Sequence, residues 1–408
     1  MLSRPLGLLI LSVLLAHRWS MPEIAKFESF NMFQYLIYFA WLPAWALTFI
    51  RYANRESEVD QKSFLFSNLL IGAAGTLVLI FVFQLLLKSS VSWDSHDVRT
   101  NGEVGIILLS FFIVQFSIHR LFILGNIRIA YVYAFIQIIT WIGVGALSND
   151  FSRFIHNYVW IATGFIFFEI IQHAPSKIIP QLSYWKEIII YAVYFALGAG
   201  ISLLVSYSVQ YKYGLGAELS MFRYGTRELP LLPALLSSFG LSFIPNRMMD
   251  RSEILNKVKL ESKQIQKWIF AGLIFFMIVL PILFTPIFGS RFSGASWWLM
   301  AYTLIYIPRM IPSNILLQYL NDQKSMLWIS TIEIVFTLAC ILICWNQIST
   351  IGFIWILIAG TLLERSLQVA ILRIKHRIPI GNYISLKQYL VCSCMMIFVF
   401  ILLWIGKN

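Results

Sequence analysis

The chain alternates between long apolar runs and short polar or charged links. Thirteen runs can be marked. The first six are Leu2–Ala16, Phe30–Ile50, Phe64–Leu87, Val104–Leu124, Ile129–Leu147 and Tyr158–Gln172. The rest are Ile188–Val209, the body of Gly214–Arg247, Trp268–Phe288, Gly294–Leu320, Ser325–Trp345, Ile351–Leu372 and Tyr389–Ile405. Several reach the roughly 20 residues that a helix needs to cross a bilayer. They are continuous rather than alternating, which predicts helices and argues against a transmembrane β-barrel. The first run follows a short basic start, as a signal peptide would. It lacks a small-x-small cleavage site and leads into His17-Arg18-Trp19, so it reads as a retained span. The expectation is an all-α polytopic membrane protein with about 13 transmembrane helices.

Composition agrees. Of 408 residues, 59% are hydrophobic and 12% charged, with mean hydropathy +0.76; a soluble domain carries about 25% charged residues. The net charge of +12 describes orientation rather than a nucleic-acid partner. With the N-terminus inside, 19 of the 31 Lys and Arg residues fall in inner segments, eight in outer ones and four within spans. This bias places the N-terminus in the cytoplasm. Cys340, Cys344, Cys392 and Cys394 all lie in apolar runs, so neither a disulfide framework nor a zinc site is expected. No large extramembrane domain is expected.

Charges inside spans are the candidates for function, because they are costly unless they face a wet cavity or a partner. Arg223 and Arg227 are four apart, which would put them on one helix face, with Tyr224 and Glu228 on a neighbouring one. They read either as a cationic patch on a cavity wall or as interfacial arginines reaching headgroups. Arg309 lies between Pro308 and Pro312, which loosen the helix and free backbone carbonyls. Its depth differs from that of Glu333 on the next span by about 4–5 Å at ~1.5 Å per residue. The two could pair, as a substrate or ion-coupling site or as a structural ion pair. Arg4 is a further candidate or an ordinary inner anchor. Glu364-Arg365 reads as a lateral gate or an interfacial pair. Glu169 and His119-Arg120 read as membrane-edge groups. The histidines show no ligand spacing, so no metal or other cofactor is expected. An enzyme needs an acid–base loop. The longest outer loop, Lys88–Glu103, is about sixteen residues; its Asp94, His96 and Asp97 read as solvated. Glu23-x-x-x-Phe27 and Glu218-x-x-x-Phe222 repeat at a separation of 195 residues, a faint echo of two corresponding halves.

Several stretches together resemble the MOP (multidrug/oligosaccharidyl-lipid/polysaccharide) superfamily, in particular its Wzx-like flippases. They are LLAHRWSMPEIAKFESFNMF, ALTFIRYANR, YGLGAELSMFRYGTRELPLLPALLSSFGLSFIP and ILFTPIFGSRFSGASWWL. Ala25 stands where that family's first loop usually has glycine. The resemblance implies two pseudo-symmetric six-helix lobes around a central cavity, over 1–175 and 176–372, with an additional C-terminal helix in 373–408. It implies translocation of an undecaprenyl-pyrophosphate-linked oligosaccharide across a bacterial inner membrane for surface polysaccharide such as O-antigen. The chain would then be no enzyme. Its partners would be that lipid-linked substrate, membrane lipid, a glycan polymerase and a chain-length regulator. Arg223, Arg227, Arg309 and Arg4 would contact the pyrophosphate or acidic sugars, because a guanidinium fork can bind two phosphate oxygens. Glu228 and Glu333 would be counter-charges or ion-coupling groups. The alternatives are a polymerase or ligase acting on the same lipid-linked glycan, and a small-molecule exporter of the same fold.

Overall fold

A computed structural model describes residues 3–35, parts of 67–81, 98–173 except 124, residue 189, 202–227, and 251–407 except 321. Among them every regular element is helical. Five helices are long and apolar enough to cross a membrane: Ile127–Leu147, Arg251–Phe288, Lys324–Cys344, Thr350–Ile374 and Leu386–Gly406. Each leaves many large apolar side chains exposed, such as Phe135, Phe275, Leu342 and Phe398 at 61–67%. In water such surfaces would aggregate; against acyl chains they cost nothing. The chain is a multi-pass α-helical membrane protein.

The described helices fall into two compact units. The first holds Ser3–Arg18, the helical stretch 21–35, Val98–Ile123, Ile127–Leu147 and Phe151–His173. Its core is aromatic. Phe154 and Tyr158 lie parallel with ring centroids 6.0 Å apart. Trp19, Phe27 and Trp141 meet Phe154 edge-on at 5.5–6.1 Å. Such edge contacts suit ring quadrupoles, and the polar tips are matched as well. The Trp19 indole donates to the Ser148 carbonyl at 2.9 Å, and that of Trp141 to the Tyr158 hydroxyl at 2.8 Å. The Glu23-x-x-x-Phe27 motif now has a physical meaning. Phe27 fills this core, while Glu23 accepts the Phe151 amide at 2.9 Å and so caps the Phe151–His173 helix. A carboxylate there satisfies an orphan N–H and complements the helix dipole. Ser3–Arg18 packs on Ile127–Leu147 through Gly145, where a Cβ would lie 2.3 Å from Leu11.

The second unit holds Arg251–Phe288, Gln323–Cys344, Thr350–Ile374, Leu386–Lys407 and three short helices, Ser293–Thr303, Tyr306–Arg309 and Ser313–Tyr319. The run expected as one span over Gly294–Leu320 is thus three helices. Pro308 and Pro312 cannot donate to the preceding turn, and Ile307 and Ile311 instead make tighter bonds to Leu304 and Pro308 carbonyls at 3.0 and 3.1 Å. The basic link expected over Arg247–Lys267 is, from Arg251, the first part of a 38-residue helix. Ile254, Val258, Ser262 and Gln266 give it a buried stripe at helical spacing that the lysines conceal. Phe151–His173 likewise begins seven residues before the expected Tyr158. Most of the expected runs Phe30–Ile50 and Ile188–Val209, and the body of Gly214–Arg247, lie outside the described residues.

The short helix Ala217–Gly225 stops at a close contact. A Cβ on Gly225 would sit 2.6 Å from Trp298 Cβ and 3.3 Å from the Ala295 carbonyl oxygen, both held in the Ser293–Thr303 helix. Gly225→Ala should therefore destabilise the protein by about 1–3 kcal/mol, read as a lower melting temperature in detergent.

On the loop face of the second unit, Asp322 caps Gln323–Cys344 and accepts from Lys375 at 2.7 Å and from His376 Nε2 at 2.7 Å. Burial raises the Asp322 pKa, but the hydrogen bonds from Lys375, His376 and Ser325 together outweigh it and hold the carboxyl well below its usual range. A depressed folded pKa contributes stability above the unfolded value of about 4, and that contribution is lost as pH falls below it. Melting temperature should drop between about pH 4 and pH 2, and Asp322→Asn should flatten that drop.

Candidate functional site

The second unit gathers its intramembrane charges at one place. Three segments supply them: the broken stretch 306–319, the Gln323–Cys344 helix and the Thr350–Ile374 helix. Glu364, Arg365 and Gln368 are spaced i, i+1 and i+4, so Gln368 can reach both neighbours over one turn. The Gln368 amide donates to Glu364 at 2.7 Å, and its oxygen accepts from Arg365 Nη1 at 2.8 Å and from the Ser313 hydroxyl at 2.7 Å. Arg365 Nε also faces Glu364 Oε2 at 3.6 Å. Ser313 and Gln368 are buried, and Glu364 and Arg365 are mostly covered. Glu333, buried at 4% exposure, lies within electrostatic reach of Glu364, Arg365 and Arg309. Arg309 and Glu333, which were expected at similar depths, thus fall in one cluster with Glu364 and Arg365.

Arg309 is placed by the helix break. It ends the one-turn helix Tyr306–Arg309, with its guanidinium 5.7 Å from the Tyr306 ring. Carbonyls around the break are occupied by side chains from two other helices. Gln266 donates to the Met310 carbonyl at 3.0 Å, and the Tyr389 hydroxyl to the Ile307 carbonyl at 3.1 Å. Tyr389 belongs to Leu386–Lys407, so the last helix has a definite contact here: it braces the backbone two residues before Arg309.

The other arginines are held apart from one another. Arg223 Nη1 donates to the buried Ser206 hydroxyl at 3.2 Å, and Arg223 lies within electrostatic reach of Tyr207. Arg227 falls beyond the helix end at Gly225, so the two do not share one helical face as their spacing suggested. Instead its guanidinium lies 4.8 Å from the Tyr224 ring, which stacks on Phe292 at 4.2 Å. Arg4 lies in the first turn of Ser3–Arg18, and nothing of its side chain is described. Glu228, and the loop positions Asp94, His96 and Asp97, lie outside the described residues.

The first unit has a cluster of its own. Glu169 is fully buried, accepts from Ser117 at 2.6 Å and from Tyr133, and interacts with Arg120. Glu169 and Arg120 were read as membrane-edge groups; three packed helices enclose Glu169, which no single helix pattern reveals. Glu364 follows Glu169 by 195 residues, the separation already found between Glu23 and Glu218. Sequence reasoning passed over Ser313, Gln368, Gln266 and Tyr389. The available signal was polar residues inside otherwise apolar runs. Among the described residues no group of three or more His, Cys, Asp or Glu could hold a metal ion.

A fold of this kind, with intramembrane charges paired inside a helical unit, defines a polytopic membrane protein with a polar centre. The whole chain superposes on a solved structure of the lipid II flippase MurJ in an inward closed conformation. The TM-score is 0.73, the identity 16%, and the match covers 100% of this chain and 91% of that one. The likeness is one of fold. No family model matches the chain, and no curated protein matches it either.

Replacing Gln368 with Leu would leave the Ser313 hydroxyl and part of Arg365 without their acceptor. A buried polar group so orphaned costs about 1–3 kcal/mol. The expected result is a lower melting temperature in detergent for Gln368→Leu.

Proposed function

We propose that the chain is a flippase that carries an undecaprenyl-pyrophosphate-linked oligosaccharide across a bacterial inner membrane for surface polysaccharide such as O-antigen. The observation that carries this reading is Arg309. It is an arginine set at a braced helix break among apolar helices, in a chain with the fold of a lipid II flippase. A lipid-linked pyrophosphate needs cationic, donor-rich partners in mid-membrane, and arginine supplies a fork that matches two oxygens. Arg309, Arg223, Arg227 and Arg4 are the proposed contacts for pyrophosphate or acidic sugars. Glu333 and Glu228 are the proposed counter-charges or ion-coupling groups. The halves 1–175 and 176–372 would rock about the substrate by alternating access, with 373–408 as an added helix. The N-terminus would be cytoplasmic, and a glycan polymerase and a chain-length regulator would act on the delivered lipid. The Wzx-like stretches of the sequence support the glycan class of the substrate.

The test uses a strain lacking its own flippase, complemented by this protein or by Arg309→Ala, with the leaflet of the lipid-linked sugar assayed directly. Wild type should restore outer-leaflet sugar. Arg309→Ala should lower it by tenfold or more, about 1.4 kcal/mol or more, at normal membrane levels, with Arg309→Lys intermediate. Lipid-linked units that reach the outer leaflet without the protein, and merely stay unpolymerised, would replace this reading with that of a polymerase.

A further inference from the structure

The Arg251–Phe288 helix is longer than a bilayer requires. Its 38 residues extend about 57 Å at ~1.5 Å per residue, against a hydrocarbon core of about 30 Å. Its charges are confined to one end. Arg251, Lys257, Lys259, Lys263 and Lys267, with Glu253 and Glu261, all precede Trp268, and no charge follows within the helix. One face of the charged end is committed to the protein. Arg251 donates to the His376 carbonyl, Lys259 to the Gly381 carbonyl at 2.6 Å, and Ser262 to the Tyr383 carbonyl at 3.3 Å.

The opposite face is different. In the apolar part it presents Phe275, Ile278 and Ile282, which are 67%, 48% and 72% exposed and so meet acyl chains. At 100° per residue the same face continues toward the N-terminus through Trp268, Gln264 and Leu260, with Lys267 and Lys263 along one of its edges and Glu261 along the other. Trp268 and Leu260 are each 69% exposed, and Lys263, Gln264 and Lys267 are exposed as well. Tryptophan at the start of the apolar part marks the headgroup level. Two lysines four residues apart lie about one helical turn from each other on that face. Glu261 has Lys257 at 4.0 Å, and Glu253 stands almost two turns beyond Leu260, so the strip along the lysine edge, from Leu260 to Lys267, is cationic.

We propose that this strip binds the headgroup of an anionic glycerophospholipid in the leaflet on the basic side of the helix. The phosphate sits between Lys263 and Lys267, with the Gln264 amide as a further donor. Its acyl chains run along Trp268 and Phe275. The charge is complementary, and the face is continuous with one that already meets lipid. The proposal holds whatever the protein transports.

The test is native mass spectrometry of the full-length protein in detergent, titrated with phosphatidylglycerol or phosphatidylcholine of the same chains. Wild type should bind phosphatidylglycerol more tightly, and added salt should weaken that preference. Lys263→Gln/Lys267→Gln should lower the phosphatidylglycerol affinity by roughly fivefold or more, leaving phosphatidylcholine unchanged, and Lys263→Arg/Lys267→Arg should retain it. Equal binding of the two lipids, or an unchanged preference in the Gln variant, would overturn the proposal. Displacement of phosphatidylglycerol by far lower concentrations of undecaprenyl pyrophosphate would assign the strip to a polyprenyl pyrophosphate instead, and would equally overturn it.

Discussion

A charge in an apolar helix must be answered by groups on its neighbours, because neither lipid nor a packed interior will solvate it. The second unit is arranged around that requirement. Arg309, Glu333, Glu364 and Arg365 come from three segments, and Gln368 and Ser313 supply hydrogen bonds among them. Glu364, Arg365 and Gln368 answer one another along one helix, Ser313 ties the broken stretch to them, and Glu333 meets them from the neighbouring helix. The helix break is tied to the same place, since Pro308 and Pro312 flank Arg309 and Ser313 follows directly. A break among apolar helices exposes carbonyls, and Gln266 and Tyr389 occupy two at this one. The last helix thus contributes to the polar centre through one hydroxyl while most of its surface remains apolar.

The helices were legible because hydrophobic periodicity is a local property. The broken stretch was legible in outline because two prolines four apart leave few alternatives. The depth match between Arg309 and Glu333 could be computed from a rise per residue. What could not be read was anything decided by a neighbour. The 251–267 segment looks like a link because its charged residues outnumber its apolar ones. Only docking against the 376–383 loop shows that Ile254, Val258 and Ser262 form a buried stripe. Arg223 and Arg227 looked like a pair because spacing assumes that a helix continues. The helix ends at Gly225, where Trp298, more than seventy residues away, stands in the place a side chain would take. Glu169 looked interfacial because its distance from the helix end is short, yet Ser117, Arg120 and Tyr133 come from two other helices to enclose it.

The 195-residue echo has a further member. Glu23 to Glu218 and Phe27 to Phe222 was a short match that chance could supply. Glu169 and Glu364 add a third correspondence at the same separation, and each lies within an arginine-bearing cluster of its own unit. The correspondence is not complete. Glu23 caps a helix, whereas Glu218 is exposed, and the first unit uses Tyr133 and Ser117 where the second uses Gln368 and Ser313. What the two clusters share is a carboxylate enclosed near an arginine, and the means of satisfying it differs between the units.

On the flippase reading, the partners already held within the second cluster govern its energetics. An arginine that is already paired and hydrogen-bonded, as Arg365 is with Glu364 and Gln368, presents less attraction to a phosphate than a bare one. Breaking a buried ion pair by removing one partner costs about 3–5 kcal/mol. A pyrophosphate therefore gains from Arg309 or Arg365 only by replacing a carboxylate oxygen with one of its own, so that the arginine is never left bare. Binding by exchange is weak in net terms even though each contact is strong. That suits a carrier, which must release on one side what it takes up on the other. It also assigns Gln368 a distinct part: a neutral amide that can keep Ser313, Glu364 and Arg365 hydrogen-bonded while the charges trade partners.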